Sequence, residues 1–336
     1  MSARMKGLFV GMGGMWNHVF TAEQQGRLGE MVEFYAPPQT AEMVQANPEI
    51  LREADVVIGA WGMPKLDAAM LAHAPRLKGV FYAGGTIRGF VSDAFWERGL
   101  IVTSAWAMNA IPVAEYTVAQ IVLSLKQTWM HMRRMHGAKG TERPGRLPMA
   151  GVMPTSTVGL ISLGMIGQRV ARMLQAYELK VVAYDPFVKP EVARELKVEL
   201  VGLEELFGRS DVVSLHTPWL PQTVGMITGA HFAAMKKGAT FINTSRGAIV
   251  REAEMIEVLR RRGDLVAVLD VTYPEPPEAG SALYELENVF LTPHVAGSCE
   301  SECKRMGDSA IGELGRFLRG EPLEWSVSRE KAALLA

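Results

Sequence analysis

The chain has 336 residues, 48% hydrophobic and 21% charged, with 35 basic against 36 acidic residues for a net charge of −1. At roughly 150 residues per domain that length suggests two domains, with a core large enough to need no disulfide or metal staple. Balanced charge excludes a general electrostatic pull toward nucleic acid or anionic membrane, and no apolar run approaches the roughly 20 residues of a spanning helix.

The predicted elements begin at the first apolar stretch, Gly7 to Trp16, which follows Arg4 and Lys6. Gly11, Gly13 and Gly14 interrupt it and no small-residue cleavage site follows, so it reads as a first strand, not a signal peptide. The expected setting is cytoplasmic. Apolar runs at Leu8–Val10, Val32–Tyr35, Val56–Ile58, Gly79–Tyr82 and Leu100–Thr103 predict strands. Glu42–Arg52, Leu66–Ala72 and Asp93–Arg98 predict helices between them. Continuously apolar strands alternating with helices predict a parallel sheet covered on both faces.

Pro112 to about Met135 predicts one long helix, with Pro112 near its first turn and apolar residues too widely spread for a single stripe. A loop rich in Gly, Pro and basic residues runs from Gly137 to Thr155. A second strand series follows at Thr157–Ile161, Lys180–Ala183, Asp211–Leu215, Ala239–Ile242, Leu265–Leu269 and Asn288–Leu291. The last helix is expected from Glu300 to Leu318, ended by Gly320 and Pro322. Cys299 and Cys303 make no disulfide framework and read as buried thiols on that helix. Asn243-Thr244-Ser245 matches a glycosylation sequon and reads as chance.

The segment Val158 to Gly167 carries the strongest signal. A strand runs into a tight turn and a helix. Gly164 would let backbone approach a pyrophosphate, Met165 and Ile166 would open a helix facing the phosphates, and Gly167 would allow close helix–strand packing. Ser162 stands where the first glycine of G-x-G-x-x-G belongs. The next strand ends in Asp185, at the distance from the turn that a ribose 2′-hydroxyl contact requires. An acid there repels a 2′-phosphate, which favours NAD over NADP.

Ligands of a doubly wound sheet sit beyond the carboxyl ends of its strands. The residues following the later strands are His216-Thr217-Pro218, then Asn243 to Gly247 with Thr244 and Arg246, then Asp270 with Glu275, then Thr292-Pro293-His294. Arg246 offers a fork of donors for a carboxylate. His294 exchanges a proton near neutral pH, and Glu275 would hold its imidazole charged for donation to a carbonyl oxygen. Asp270 would meet the carboxamide side of a nicotinamide. His216 reads as a residue that packs near the cofactor, or as a structural one. A His–Glu pair with no third ligand at metal spacing makes no metal site. Cation, His–carboxylate pair and dinucleotide together suggest reduction of a 2-oxo acid by hydride transfer.

Taken together, these segments and Val113-Ala114-Glu115 resemble the D-isomer-specific 2-hydroxyacid dehydrogenases over nearly the whole chain. The resemblance implies an α/β fold of two doubly wound parallel-sheet domains. A Rossmann-type cofactor domain (residues 108–297) is inserted into a flavodoxin-like substrate domain (1–107 and 298–336). It implies Arg246, Glu275 and His294 as the catalytic three, NAD as cofactor, a small 2-oxo or 2-hydroxy acid as substrate, and a homodimer. It also implies that the loop Tyr82 to Thr86, with Gly84 and Gly85, lends N–H groups to the substrate carboxylate. Arg88-Gly89 stands where many members have Asp-Asn, and Gly59-Ala60-Trp61-Gly62 lacks the Arg often found in phosphoglycerate dehydrogenases. Trp61 would instead wall a small or apolar pocket or pack as a buried tryptophan, and Arg88 would add positive charge near the site or stand solvated. Related transcriptional corepressors use the same scaffold as NAD sensors, which makes a binding protein the alternative.

Overall fold

The first strand buries nearly its whole length because Gly7, Leu8, Phe9 and Val10 leave no polar side chain to solvate. In this computed structural model, which describes residues 4–140 and 143–334, that strand belongs to the first of two parallel sheets. Contacts divide the chain into two units. One holds the residues up to Ala110 and those from Ser298 on; the other is Ile111–Gly297.

The first unit contains β1 (Lys6–Val10), β2 (Glu33–Phe34), β3 (Val56–Gly59), β4 (Gly79–Tyr82) and β5 (Ile101–Ser104). Their order is β2-β1-β3-β4-β5, the flavodoxin-like order, with every pair parallel. The closing helix, Cys303–Arg319, packs Met306, Ile311 and Leu314 into a core with Phe9, Phe20 and Phe81. Gly320 ends it at φ 68°, the left-handed stop a glycine takes readily.

The second unit contains β6 (Thr157–Ile161), β7 (Lys180–Tyr184), β8 (Glu199–Leu200), β9 (Val212–Leu215), β10 (Thr240–Asn243), β11 (Val266–Leu269) and β12 (Val289–Leu291). Their order is β12-β11-β10-β9-β6-β7-β8, again all parallel. The sequence order reverses between β6 and β9, the switch point of a Rossmann-type sheet. Both units anchor their first strand alike: the backbone N–H of Lys6 donates to Asp55, and that of Thr157 to Asp211, each at 2.8 Å.

Several elements differ from the sequence reading. The helix expected from Pro112 to Met135 is two, Trp106–Leu125 and Thr128–Ala138. Pro112 lies inside the first rather than in its first turn. The break falls at Gln127, in the left-handed region at φ 52°, whose amide donates 2.5 Å to the Gly238 carbonyl. Trp106–Leu125 is also long and apolar enough to cross a membrane by composition, with a mean hydropathy of 1.2, which corrects the expectation that no such run exists. Its best window is 56% buried inside the protein, as in a core helix.

The helix Ala22–Met31 and the short β8 were not anticipated. Cys299 is exposed ahead of the helix Cys303–Arg319, against the expectation of two buried thiols; Cys303 is buried. Contrary to expectation that helix is not the last, because Arg329–Leu334 follows it. Asn243 of the sequon is 1% exposed at the end of β10, where no glycan fits. Within the loop expected from Gly137 to Thr155, Thr141 and Glu142 lie outside the described residues.

Candidate active site

Because all neighbouring strands of the second sheet are parallel, the carboxyl ends of β6, β9, β10, β11 and β12 share one edge. After β6 the chain turns through Ser162 into the helix Met165–Leu174. A Cβ on Gly167 would lie 2.1 Å from the Ser162 carbonyl oxygen, so glycine alone lets the helix close on the turn. Gly164 is the N-cap, and no side chain caps the helix. A Cβ at Gly164 would meet nothing nearer than the Ser162 hydroxyl at 3.9 Å. The first amides of this helix, those of Met165 and Ile166 among them, have no intrahelical partner and carry the positive end of its dipole. This open, uncapped cradle fits a pyrophosphate.

Asp185, past the end of β7, accepts from the Leu163 amide at 2.7 Å and the Ser162 hydroxyl at 3.4 Å through Oδ2. Its Oδ1 accepts from the amides of Phe187 and Val188 at 2.8 and 2.9 Å.

His216, beyond β9, is 7% exposed. Its Nε2 pairs with the Ser214 hydroxyl at 3.0 Å, and its Cδ2 would lie 3.7 Å from a Cβ on Gly167. Burial pushes its pKa down to about 4. It is therefore neutral near pH 7 and packs beneath the nucleotide helix rather than donating protons. Between pH 6.5 and 4 the unfolded chain binds a proton that the folded chain refuses. Stability present above 6.5 is lost on acidification, up to about 3 kcal/mol. Urea unfolding of the parent and of His216→Gln at pH 7 and pH 4.5 isolates this term. Parallel losses in both chains would mean that the native state accepts the proton.

Thr217 gives its carbonyl to the Ser245 hydroxyl, and Pro218 follows, half-buried. The Thr244 hydroxyl is buried against that of Thr117 at 3.0 Å. Asn243 shapes the turn after β10: its Oδ1 accepts from Ser245 N–H at 3.0 Å and its Nδ2 donates to the Arg246 carbonyl at 3.2 Å. A Cβ on Gly247 would lie 2.0 Å from the Thr272 carbonyl carbon, so this turn packs directly on the chain leading to Glu275. Arg246 is half-buried, and among the described residues its guanidinium makes one hydrogen bond, to the Ser245 carbonyl at 2.7 Å, and no ion pair. Burial lowers its pKa from the ordinary arginine value, and nearby Glu275 opposes that shift. A desolvated cation with most of its donors unspent suits an incoming carboxylate.

His294 Nδ1 lies 2.6 Å from Glu275 Oε1, and both side chains are exposed. His294 itself sits in the left-handed region at φ 56°. Buried Asp270 holds it there. Its carboxylate accepts from the Thr292 hydroxyl at 2.6 Å and from the amides of Val295 and Ala296 at 2.9 Å, and its carbonyl accepts from His294 N–H at 3.0 Å. This anchoring role is one the sequence reading missed. An acid at a strand end signals a site, but only the loop's backbone shows which groups it accepts from.

In the first unit, the carbonyls of Gly84 and Gly85 accept from the Ser104 hydroxyl at 3.0 and 2.5 Å. Among the described residues their N–H groups have no hydrogen-bond partner. Trp61 packs partly buried against the Phe9–Phe20 core, and its carbonyl accepts from Met12 N–H. The Arg88 guanidinium reaches the Ala333 carbonyl at 3.1 Å. Asn109 was overlooked: its Nδ2 would lie 3.7 Å from a Cβ on Gly85, and its Oδ1 accepts from Ser298 N–H at 2.8 Å. A lone amide near the start of an apolar helix was its only sequence signal.

Residues 120–296 match the model of the D-isomer specific 2-hydroxyacid dehydrogenase NAD-binding domain. The chain belongs to that family. Its members are NAD-dependent oxidoreductases acting on CH–OH donors. The chain is 32% identical to D-3-phosphoglycerate dehydrogenase of Archaeoglobus fulgidus over 84% of its own length and 54% of that protein. It thus spans about half the length of the curated relatives it matches. Among solved structures, a phosphoglycerate oxidoreductase of Rhizobium etli superposes with a TM-score of 0.80 at 23% identity, covering 97% of this chain and 99% of that one, a likeness of fold. D-lactate dehydrogenase of Aquifex aeolicus, complexed with NAD and lactic acid, has a TM-score of 0.71 at 25% identity, covering 94% and 96%. The NAD-binding assignment agrees with the uncapped cradle at Gly164.

Proposed function

We propose that the chain interconverts a small 2-oxo acid and a D-2-hydroxy acid, with Arg246, Glu275 and His294 as its catalytic residues. The observation that carries this reading is the 2.6 Å His294–Glu275 pair on the same sheet edge as an Arg246 with unspent donors. The nicotinamide, when bound, supplies the hydride that adds to the carbonyl carbon. Arg246 binds the carboxylate and orients the carbonyl. Glu275 occupies Nδ1 of His294, which leaves Nε2 to give its proton to the carbonyl oxygen as the hydroxyl forms. In the reverse direction neutral His294 takes that proton back.

Gly164, Met165 and Ile166 would hold the pyrophosphate and Asp185 the adenosine ribose. His216, Thr217, Pro218 and Thr244 would line the cofactor's path, and Asp270 would use its remaining acceptor capacity on the carboxamide. Gly84 and Gly85 would offer their N–H groups to the substrate carboxylate. The stretch Gly59-Ala60-Trp61-Gly62 holds no cation for a phosphate, which argues against a phosphorylated substrate. The family resemblance further suggests a homodimer, which sedimentation at micromolar concentration tests.

The direct assay is loss of NADH absorbance with glyoxylate, pyruvate, hydroxypyruvate, a bulkier 2-oxo acid and phosphohydroxypyruvate. Turnover is expected with at least one of the first three, with NADH preferred over NADPH. Phosphohydroxypyruvate as the best substrate would overturn the reading of Trp61. Tight NADH binding with no turnover of any of them would make the protein a sensor instead.

A further inference from the structure

Among the described residues Asp185 receives four donors, and a carboxylate has about four acceptor sites. Three of the donors are backbone amides, Leu163 in the turn after β6 and Phe187 and Val188 in the loop after β7, at 2.7, 2.8 and 2.9 Å. The fourth is the Ser162 hydroxyl, the longest at 3.4 Å and the only one on a rotatable side chain. A sugar hydroxyl arriving at Asp185 must displace one of the four, and this is the one that yields most cheaply.

Ser162 is also costly where it stands. Its φ is 78°, in the left-handed region that a non-glycine residue enters at a penalty. The position leaves it no alternative. Its N–H donates 2.8 Å to the Tyr184 carbonyl, and its own carbonyl closes against Gly167. A glycine here would carry neither the backbone penalty nor the hydroxyl.

We propose that the Ser162 hydroxyl is a built-in competitor of the cofactor's ribose, filling the acceptor site on Asp185 that a ribose hydroxyl takes and so weakening the hold on NADH. The inference rests on the reading of Asp185 as the ribose acceptor.

Three single variants and two doubles test it by NADH fluorescence titration and thermal melting, with no turnover needed. Ser162→Ala keeps the backbone penalty and loses the hydroxyl; Ser162→Gly loses both. Each should lower the NADH dissociation constant by about three- to fivefold, the worth of one weak hydrogen bond to a charged group. Neither should change it when combined with Asp185→Ala, which removes the group competed for. The Tm of Ser162→Gly should exceed that of Ser162→Ala by about 2 °C or more. That difference keeps backbone strain separate from the hydroxyl effect. An unchanged or weaker affinity in both serine variants, with Asp185→Ala weakening NADH as expected, overturns the competitor and leaves the ribose reading standing. An Asp185→Ala chain that binds NADH like the parent removes the ribose reading, and the competitor falls with it.

Discussion

Replacing His294 by alanine lowers the rate of 2-oxo acid reduction by about 10²-fold or more, the usual share of a positioned general acid. NADH binding stays within about twofold, well inside 1 kcal/mol. The two readouts separate because they belong to different parts of the sheet edge. The dinucleotide cradle follows β6, whereas His294 follows β12 and is held by Asp270 through backbone amides that an alanine retains. Turnover equal to the parent would end the assignment of His294. Glu275→Gln, which keeps the shape and removes the charge 2.6 Å from Nδ1, should lower the reduction rate by about tenfold or more with NADH binding unchanged. Parental turnover in that variant would remove Glu275 from its role.

Arg246→Ala should lower kcat/KM by about 10²–10³-fold, because two charge-assisted hydrogen bonds to the substrate vanish together. Arg246→Lys should recover only a small part of this. An ammonium restores the charge but not the planar fork. Stability should move the other way or not at all. A half-buried guanidinium with, among the described residues, one hydrogen bond and no ion pair costs the fold something to desolvate. A melting temperature that falls steeply along with activity would make Arg246 a structural residue. A lysine variant at parental kcat/KM would dismiss the fork.

The parallel α/β character of both units was legible because central strands such as Val56–Gly59, Gly79–Tyr82 and Val266–Leu269 are short apolar runs alternating with helices. What escaped the sequence has specific causes. β8 is two exposed residues, Glu199 and Leu200, too short to show a pattern. The helix Ala22–Met31 buries only Gln24 and Leu28, so its apolar stripe is nearly absent, although Thr21 and Gln24 form a capping box. The long helix breaks at Gln127 because its amide reaches Gly238, a contact 111 residues away that local propensity does not report.

At the site, strand ends marked Arg246, Asp270, Glu275 and His294 as candidates from residue type and position alone. The left-handed backbone of His294 and the three donors on Asp270 are properties of a loop closed on itself, and composition carries no trace of them. Asn109 escaped for a similar reason. Its partner Ser298 lies 189 residues further along the chain.

That Asn109–Ser298 bond has a topological consequence. The two points where the first unit is interrupted lie one hydrogen bond apart, so the whole second unit enters and leaves through a single gap. While it is folded, the insert acts as a short rigid tether between Asn109 and Ser298. Once melted, it becomes a long flexible loop, and the first unit must then meet the entropy of closing it. The helix Cys303–Arg319 stands on the far side of that gap. Its docking is therefore linked to the integrity of a unit to which it does not belong. A ligand that stabilises the nucleotide-binding unit should protect this helix as well, and the two units should lose their cooperativity together.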